Sequence, residues 1–354
     1  MIYNKVRFFV KGSRPELMMY HLVRVTFFIL LALLLAIITI SLFDYSEQVD
    51  LPEPVKPQRI SPYFLAANEI PGTAKTELIF YPQNPAPGDY VIIEAGPLPA
   101  MAVQPDVQFD FAGNVSDFYQ LGNMVYAVAA IYYETEPDIY NLELIDTSAQ
   151  SEEIIATVEL AVKEKDFHFS SFSMPPSRTE GWTAQRLAED REKIRLAREE
   201  TEQHPLWEDR FIWPMEGRIS SEYGAIRVIN QNPPRRHAGI DIANDEGEPV
   251  QATNSGVVRL AEYLLSGGNT VIIDHGLDIS STYMHLHTID VEVGEQVDRG
   301  EVIGTNGMTG YATGPHLHWE VNIGLTPVNP EQLFDNELLL IPPAYVKEKV
   351  ESWQ

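Results

Sequence analysis

His316-Leu-His-Trp-Glu-Val-Asn322 reads as a β-strand by its aromatic and β-branched content. With a side-chain period of two, His316, His318 and Glu320 share one face, while Leu317, Trp319 and Val321 turn to an apolar one. Two imidazoles thus stand side by side on a packed scaffold. Two more short clusters carry the same chemistry, His237-Ala-Gly-Ile-Asp241 and Tyr283-Met-His285-Leu286. His237 and Asp241 are an even number of residues apart, so extended backbone turns both to one side, and Gly239 between them permits close approach. The chain has no cysteine, so a metal site must be built from imidazole and carboxylate. A catalytic zinc takes three protein ligands and leaves a fourth position open, which these groups can supply. Spacing alone leaves the metal-binding pair open, because His285-Leu-His287 is also an H-x-H on a strand-like run.

Further segments flank these clusters in order: Trp213–Gly224, Arg236–Ala243, Val250–Val258, Val271–Gly276, Tyr283–Leu286, Thr309–Glu320 and Val328–Pro330. Together they make the stretch from about Phe211 to Pro330 resemble the M23 family of zinc metallopeptidases, the lysostaphin-like or LytM-type peptidoglycan endopeptidases. The resemblance implies that His237, Asp241 and His318 are the zinc ligands. It implies that His285 and His316 are the catalytic pair that handles the proton of the attacking water and stabilises the oxyanion, a role suited to a group titrating near neutrality. Two positions depart from the family's usual pattern. Tyr223 stands where Phe is common, and His287 follows the Tyr-x-His-Leu motif where a small polar residue is common. His287 is read as a bystander, His275 as a structural residue at a hairpin end, and His21, His168 and His204 as ordinary. Ser266-Gly-Gly-Asn269, between two apolar runs, is a hairpin-turn signal.

The rest of the chain bears on location. Val25 to Phe43 is an uncharged apolar run of 19 residues, about 28 Å long as a helix and enough to cross a bilayer. Lys5, Arg7, Lys11, Arg14 and Arg24 precede it and Asp44 and Glu47 follow. That asymmetry predicts a single-pass anchor with the N-terminus in the cytoplasm and the catalytic domain outside, on the periplasmic or cell-wall side. The formal charge is −26. With five bases against one acid before residue 25, the remainder carries −30, which disfavours nucleic acid as a partner.

Leu51-Pro-Glu-Pro-Val-Lys-Pro57 reads as a stiff spacer. Six or seven short apolar runs with turn signals follow within about 95 residues, the pattern of an immunoglobulin-like sandwich. Trp182 to Gln203, rich in Ala, Glu, Arg and Leu, reads as a solvated helix between domains, with Glu189 four residues before Lys193.

The expectation is a mainly β chain with an N-terminal transmembrane helix, an immunoglobulin-like β-sandwich, a helical linker and a C-terminal lysostaphin-like β-sheet metallopeptidase domain. The boundaries are a basic cytoplasmic segment at 1–24, the membrane helix at 25–43, a Pro-rich spacer at 44–69, the sandwich at 70–165, the linker at 166–205, the peptidase domain at 206–335 and a tail at 336–354. A piece beginning near Pro205 is expected to fold alone. The expected activity is zinc-dependent hydrolysis of peptide bonds in peptidoglycan stem peptides or cross-bridges. The sandwich is a candidate docking module for cell-wall or division proteins. A non-enzymatic LytM-like scaffold, or an activator of cell-wall amidases, is the alternative.

Overall fold

Runs rich in Val, Ile, Tyr and Phe favour extended backbone, and the described residues fold mainly as β-strands with a single α-helix among them, Ala184–Glu199. A computed structural model describes residues 76–98, 107–110, 114–115, 119–121, 124–146, 153–173, 182–207, 210–230 and 232–334. The expected membrane helix at 25–43 and spacer at 44–69 lie outside them, as do 1–24 and 336–354.

The larger sheet has eight strands. Its order runs Arg218–Ser221, Ile240–Ala243, Leu317–Ile323, Ile279–Leu286, Gly268–Gly276, Gly256–Leu264 and Gln296–Val297, with Thr326–Val328 folded back on Leu317–Ile323. All of its pairings are antiparallel. The Ser266–Asn269 signal falls where expected, at the turn between Gly256–Leu264 and Gly268–Gly276. One face of the sheet buries Ile240, Ile242, Val271, Ile273, Tyr283, Leu317, Trp319 and Val321 in the main core.

The preceding strands form two further sheets. One contains Glu77–Tyr81, Tyr90–Gly96 and Met124–Ala130 with two short partners, and the other contains Val107–Asp110, Ile139–Asp146 and Glu153–Ala161. Their facing sides share a core of Leu78, Phe80, Val91, Ile93, Val125, Ala127, Leu142, Leu144 and Leu160. Tyr90–Ile93 and Val125–Ala130 bury apolar side chains on both faces, and the period of two shows where each set goes. Val91, Ile93 and Ala129 face this smaller core. Tyr90, Ile92, Val128 and Ala130 face the other way, into the main core beside Tyr223 and Trp207.

Hydrogen bonds reinforce that seam. Asn329 N donates to Gly88 O at 2.7 Å, and Tyr90 N donates to Gln332 Oε1 at 2.7 Å. On the peptidase side of the seam, the hydroxyl that distinguishes Tyr223 from the commoner Phe donates to Pro327 O at 2.8 Å. The core therefore continues across residue 205 rather than ending there.

The helix begins at Thr183, whose hydroxyl accepts from Arg186 N at 3.2 Å. Arg195 pairs along its exposed side with Glu192 and Glu199, while Lys193 reaches across to Glu262 rather than back to Glu189. The opposite side is docked. Ile194 and Ala197 pack on Leu260, Leu264 and Ile272 of the large sheet, and Asp190 accepts from Leu265 N at 2.6 Å. After the helix, Arg259 binds Glu200, Glu202 and the buried Asp274. This ties the following segment to the same sheet.

Candidate metal centre

Strand register brings the first cluster to the third. Asp241 pairs with His318 across the antiparallel strands Ile240–Ala243 and Leu317–Ile323, and Met284 pairs with His318 on its other side. Trp319 turns into the core and is fully buried, which leaves His318 and Glu320 on the opposite face, as the period of two requires. Gly239 permits the approach. A Cβ there would lie 2.2 Å from Trp319 O, so no larger residue fits without moving the strand.

Three atoms converge. His237 Nε2 lies 2.9 Å from both Asp241 Oδ1 and His318 Nδ1, and these last two are 2.8 Å apart. Their outer partners fix what each presents inward. His237 Nδ1 donates to Glu222 O at 2.8 Å, which leaves Nε2 as the lone pair of the neutral ring. His318 Nε2 donates to Glu320 Oε1 at 2.8 Å, which leaves Nδ1 as its lone pair. Asp241 Oδ2 is held by Arg227, and Oδ1 points inward. Two imidazole lone pairs and a carboxylate oxygen facing one another repel unless a cation or proton lies between them.

The donor set fits zinc in type and number. Its spacing is slightly inside the ~3.3 Å edge of a tetrahedron built on ~2.0 Å zinc–donor bonds. The ionisation pattern states the same demand in protons. Burial lowers His318, but its hydrogen bonds with Asp241 and Glu320 outweigh burial and raise it to about 9. Asp241 is buried, which raises a carboxyl, yet His237 and His318 hold it well below the usual range. Burial lowers His237.

The second pair stands beside this group. The His285 ring centroid is 4.8 Å from His316 and 6.1 Å from His318. His316 Nε2 is 3.8 Å from Asp241 Oδ1. Both rings are oriented by the backbone: His285 Nδ1 donates to Thr309 O and His316 Nδ1 to Gly314 O, each at 2.8 Å. Each ring therefore turns Nε2 away from its carbonyl anchor. His285 sits at φ 67°, in the left-handed region that a side chain of this size seldom adopts. Its own N–H is taken by Gly267 O at 2.7 Å. The glycine turn beneath it is tight for a reason: a Cβ at Gly268 would meet Thr309 Oγ1 at 2.2 Å. Burial, then the neighbouring His316 and His318, push His285 down to about 3. It is neutral at ordinary pH.

The structure also separates the other histidines. His287 is half-exposed and pairs with Glu246 at 2.7 Å, outside the group formed by His237, Asp241 and His318. His275 is fully buried, with Nδ1 donating to Ser255 O and Nε2 against Ser281 Oγ, both at 2.8 Å. Arg227 and Arg198, which holds Glu320 at 2.5 Å, were not legible in the sequence. Arg198 is 122 residues from Glu320, and Arg227, 14 residues from Asp241, has no spacing signal to connect the pair.

Comparison with known proteins agrees with this geometry. Residues 235–330 match the model of Peptidase family M23. The chain is 43% identical over 115 residues to the peptidoglycan DD-endopeptidase ShyA of Vibrio cholerae, a match covering 32% of this chain and 26% of that protein. It is 38% identical over 126 residues to an uncharacterized metalloprotease of Buchnera aphidicola, covering 35% of this chain and 33% of that one. The match thus spans about a third or less of these curated relatives' length. A crystal structure of a proposed M23 peptidase from Pseudomonas aeruginosa superposes with a TM-score of 0.51 at 26% identity, over 70% of this chain and 94% of that one. That share exceeds residues 206–335 alone, so the likeness extends into the preceding segments. The chain carries, around its His237–Asp241–His318 centre, a domain of peptidase family M23.

Proposed function

We propose that this chain is a membrane-anchored, zinc-dependent endopeptidase that hydrolyses peptide bonds in peptidoglycan. The observation that carries the reading is the convergence of His237 Nε2, Asp241 Oδ1 and His318 Nδ1 within 2.9 Å of one another, with two backbone-anchored imidazoles alongside. Those three atoms would hold the zinc, which when bound polarises the scissile carbonyl and acidifies water. The remaining chemistry belongs to His285 and His316. In each ring Nδ1 is held by a backbone carbonyl, so Nε2 is the nitrogen left to exchange a proton with the attacking water. Once protonated there, either ring can donate to the carbonyl oxygen as it gains charge, or to the leaving amine nitrogen. Fixed rings need no reorganisation during the step.

Relatives named peptidoglycan DD-endopeptidases support peptidoglycan as the substrate. They make D,D-cross-linked muropeptides the first substrate to try. The run Val25–Phe43 and its basic flank support an anchor with the peptidase outside the membrane. Among the described residues no helix is long and apolar enough to cross a bilayer. The two sheets at 76–161 support an immunoglobulin-like module that covers part of the peptidase core and serves as a docking surface.

The test is incubation of the zinc-loaded full chain with defined cross-linked muropeptides, with fragments identified by mass spectrometry. Cleavage abolished by a chelator and restored by zinc is expected. A chain that binds zinc yet cleaves none of them would favour the scaffold reading.

A further inference from the structure

Arg198 lies outside the family-matched residues 235–330, on the helix Ala184–Glu199. Its guanidinium nevertheless reaches the carboxylate that holds His318. Arg198 Nη2 donates to Glu320 Oε2 at 2.5 Å and to Thr282 Oγ1 at 3.1 Å. The other oxygen, Glu320 Oε1, accepts from His318 Nε2 at 2.8 Å. Only 11% of the Arg198 side chain and 9% of that of Glu320 reach solvent, so this is a buried ion pair.

Register explains how the helix finds its place. Leu260, Ile272, Thr282 and Glu320 are successive partners across four strands and form one row on the sheet. Ile194 and Ala197 cover the Leu260 and Ile272 end of that row, and Arg198, in the next helical position, continues over Thr282 and Glu320. Apolar contact thus sets where the helix lies, and the ion pair sets how Glu320 presents itself to His318. A buried ion pair adds little stability beyond that of an apolar pair of similar volume. Its value here is orientation: one carboxylate oxygen is clamped by the helix so that the other meets a metal-facing imidazole.

We infer that Arg198 is a positioning residue for the metal centre, acting through Glu320 to keep His318 Nε2–H on the carboxylate and Nδ1 turned towards His237 and Asp241. The inference rests on reading His237, Asp241 and His318 as the metal-binding group. It makes the helix, which precedes the family-matched segment, part of the site. Loss of an outer partner of a metal-bound histidine weakens binding by about 10–100-fold.

The experiment measures zinc affinity of the metal-stripped full chain by competition with a chromophoric chelator, with folding checked by thermal denaturation. Arg198→Met should bind zinc about 10–100-fold more weakly than the parent, and Arg198→Lys, which keeps a cation at Glu320, should recover part of the loss. The double variant Arg198→Met with Glu320→Gln should be no weaker than the weaker single variant, because both act along one path. Lys193→Met breaks the exposed helix contact to Glu262 and should leave affinity unchanged. Parental affinity in folded Arg198→Met, or losses that simply add in the double variant, would overturn the inference while leaving the metal reading intact. A parent that binds no zinc would remove the metal reading and this inference with it. If Arg198→Met does not fold, Arg198→Lys and Glu320→Gln decide: an affinity loss in both sustains the inference, and parental affinity in both ends it.

Discussion

Asp241 and His318 face each other across two antiparallel strands, with Asp241 Oδ1 2.8 Å from His318 Nδ1. The pairing makes the metal group a property of the sheet, because the hydrogen bonds that align the strands also align the ligands. Arg227 holds the second Asp241 oxygen and keeps the first turned inward. Arg227→Met should therefore retain the fold and weaken zinc binding by about 10–100-fold, as measured by chelator competition. Unchanged affinity would show that Arg227 only neutralises charge.

His285 and His316 lie beside the metal group without belonging to it. Replacing either by Ala should leave zinc in place and lower the turnover of cross-linked muropeptides by about 10²–10⁴-fold, the usual scale for a proton-handling group. His287→Ala should change neither measurement, since its partner is the surface residue Glu246.

Acid should expose His275. Burial lowers it from 6.5 to about 4, so below pH 6.5 the unfolded chain takes up a proton that the folded chain excludes. Stability is unaffected by this group above pH 6.5 and falls progressively as pH drops towards about 4. The slope is at most about 1.4 kcal/mol per pH unit. Melting temperatures of the parent and His275→Gln, compared from pH 8 to 5, should converge as pH falls. Parallel curves would place the acid sensitivity elsewhere.

A piece beginning at Pro205 should be markedly less stable than the full chain. It loses Tyr90, Ile92 and Val128 from the shared core, where each large apolar side chain contributes on the order of 1.5–3 kcal/mol. It also loses Arg198 and the Glu202 contact to Arg259. A lower thermal midpoint, with weaker zinc binding, is the expected result. An equal midpoint would show that the seam adds nothing to folding.

What could be read beforehand follows the range of the physical signal. The period of two across His316, His318 and Glu320, and the even spacing of His237 and Asp241, are local, so these clusters were visible, while the choice of His318 over His285 or His287 as a ligand came from the resemblance to the M23 family. Gly239 was legible from local sequence too. The partners that orient the inner atoms of the site were not. Arg198 and Glu320 are 122 residues apart, and Arg227 and Asp241 pair through a strand connection that no short pattern marks. The helix looked solvated because its charges outnumber its apolar residues. Its docking depends on Ile194 and Ala197 meeting Leu260, Leu264 and Ile272, a match that only the folded sheet creates. The both-face burial at the start of the strand Tyr90–Gly96 was present as the continuous apolar run Tyr90–Ile93, but such a run does not say what lies on its second side.

Membrane topology can be tested independently of chemistry. Protease added to intact spheroplasts should digest the chain beyond Phe43 and leave a short N-terminal stub. Protection of the peptidase domain would reverse the orientation.

The central claim is that His237, Asp241 and His318 hold one zinc and that His285 does not. Zinc per folded chain, measured by elemental analysis in the parent, His318→Ala and His285→Ala, tests it most directly. Close to one in the parent and in His285→Ala, with near-complete loss in His318→Ala, is the expected result. Loss of zinc in His285→Ala with retention in His318→Ala would contradict it.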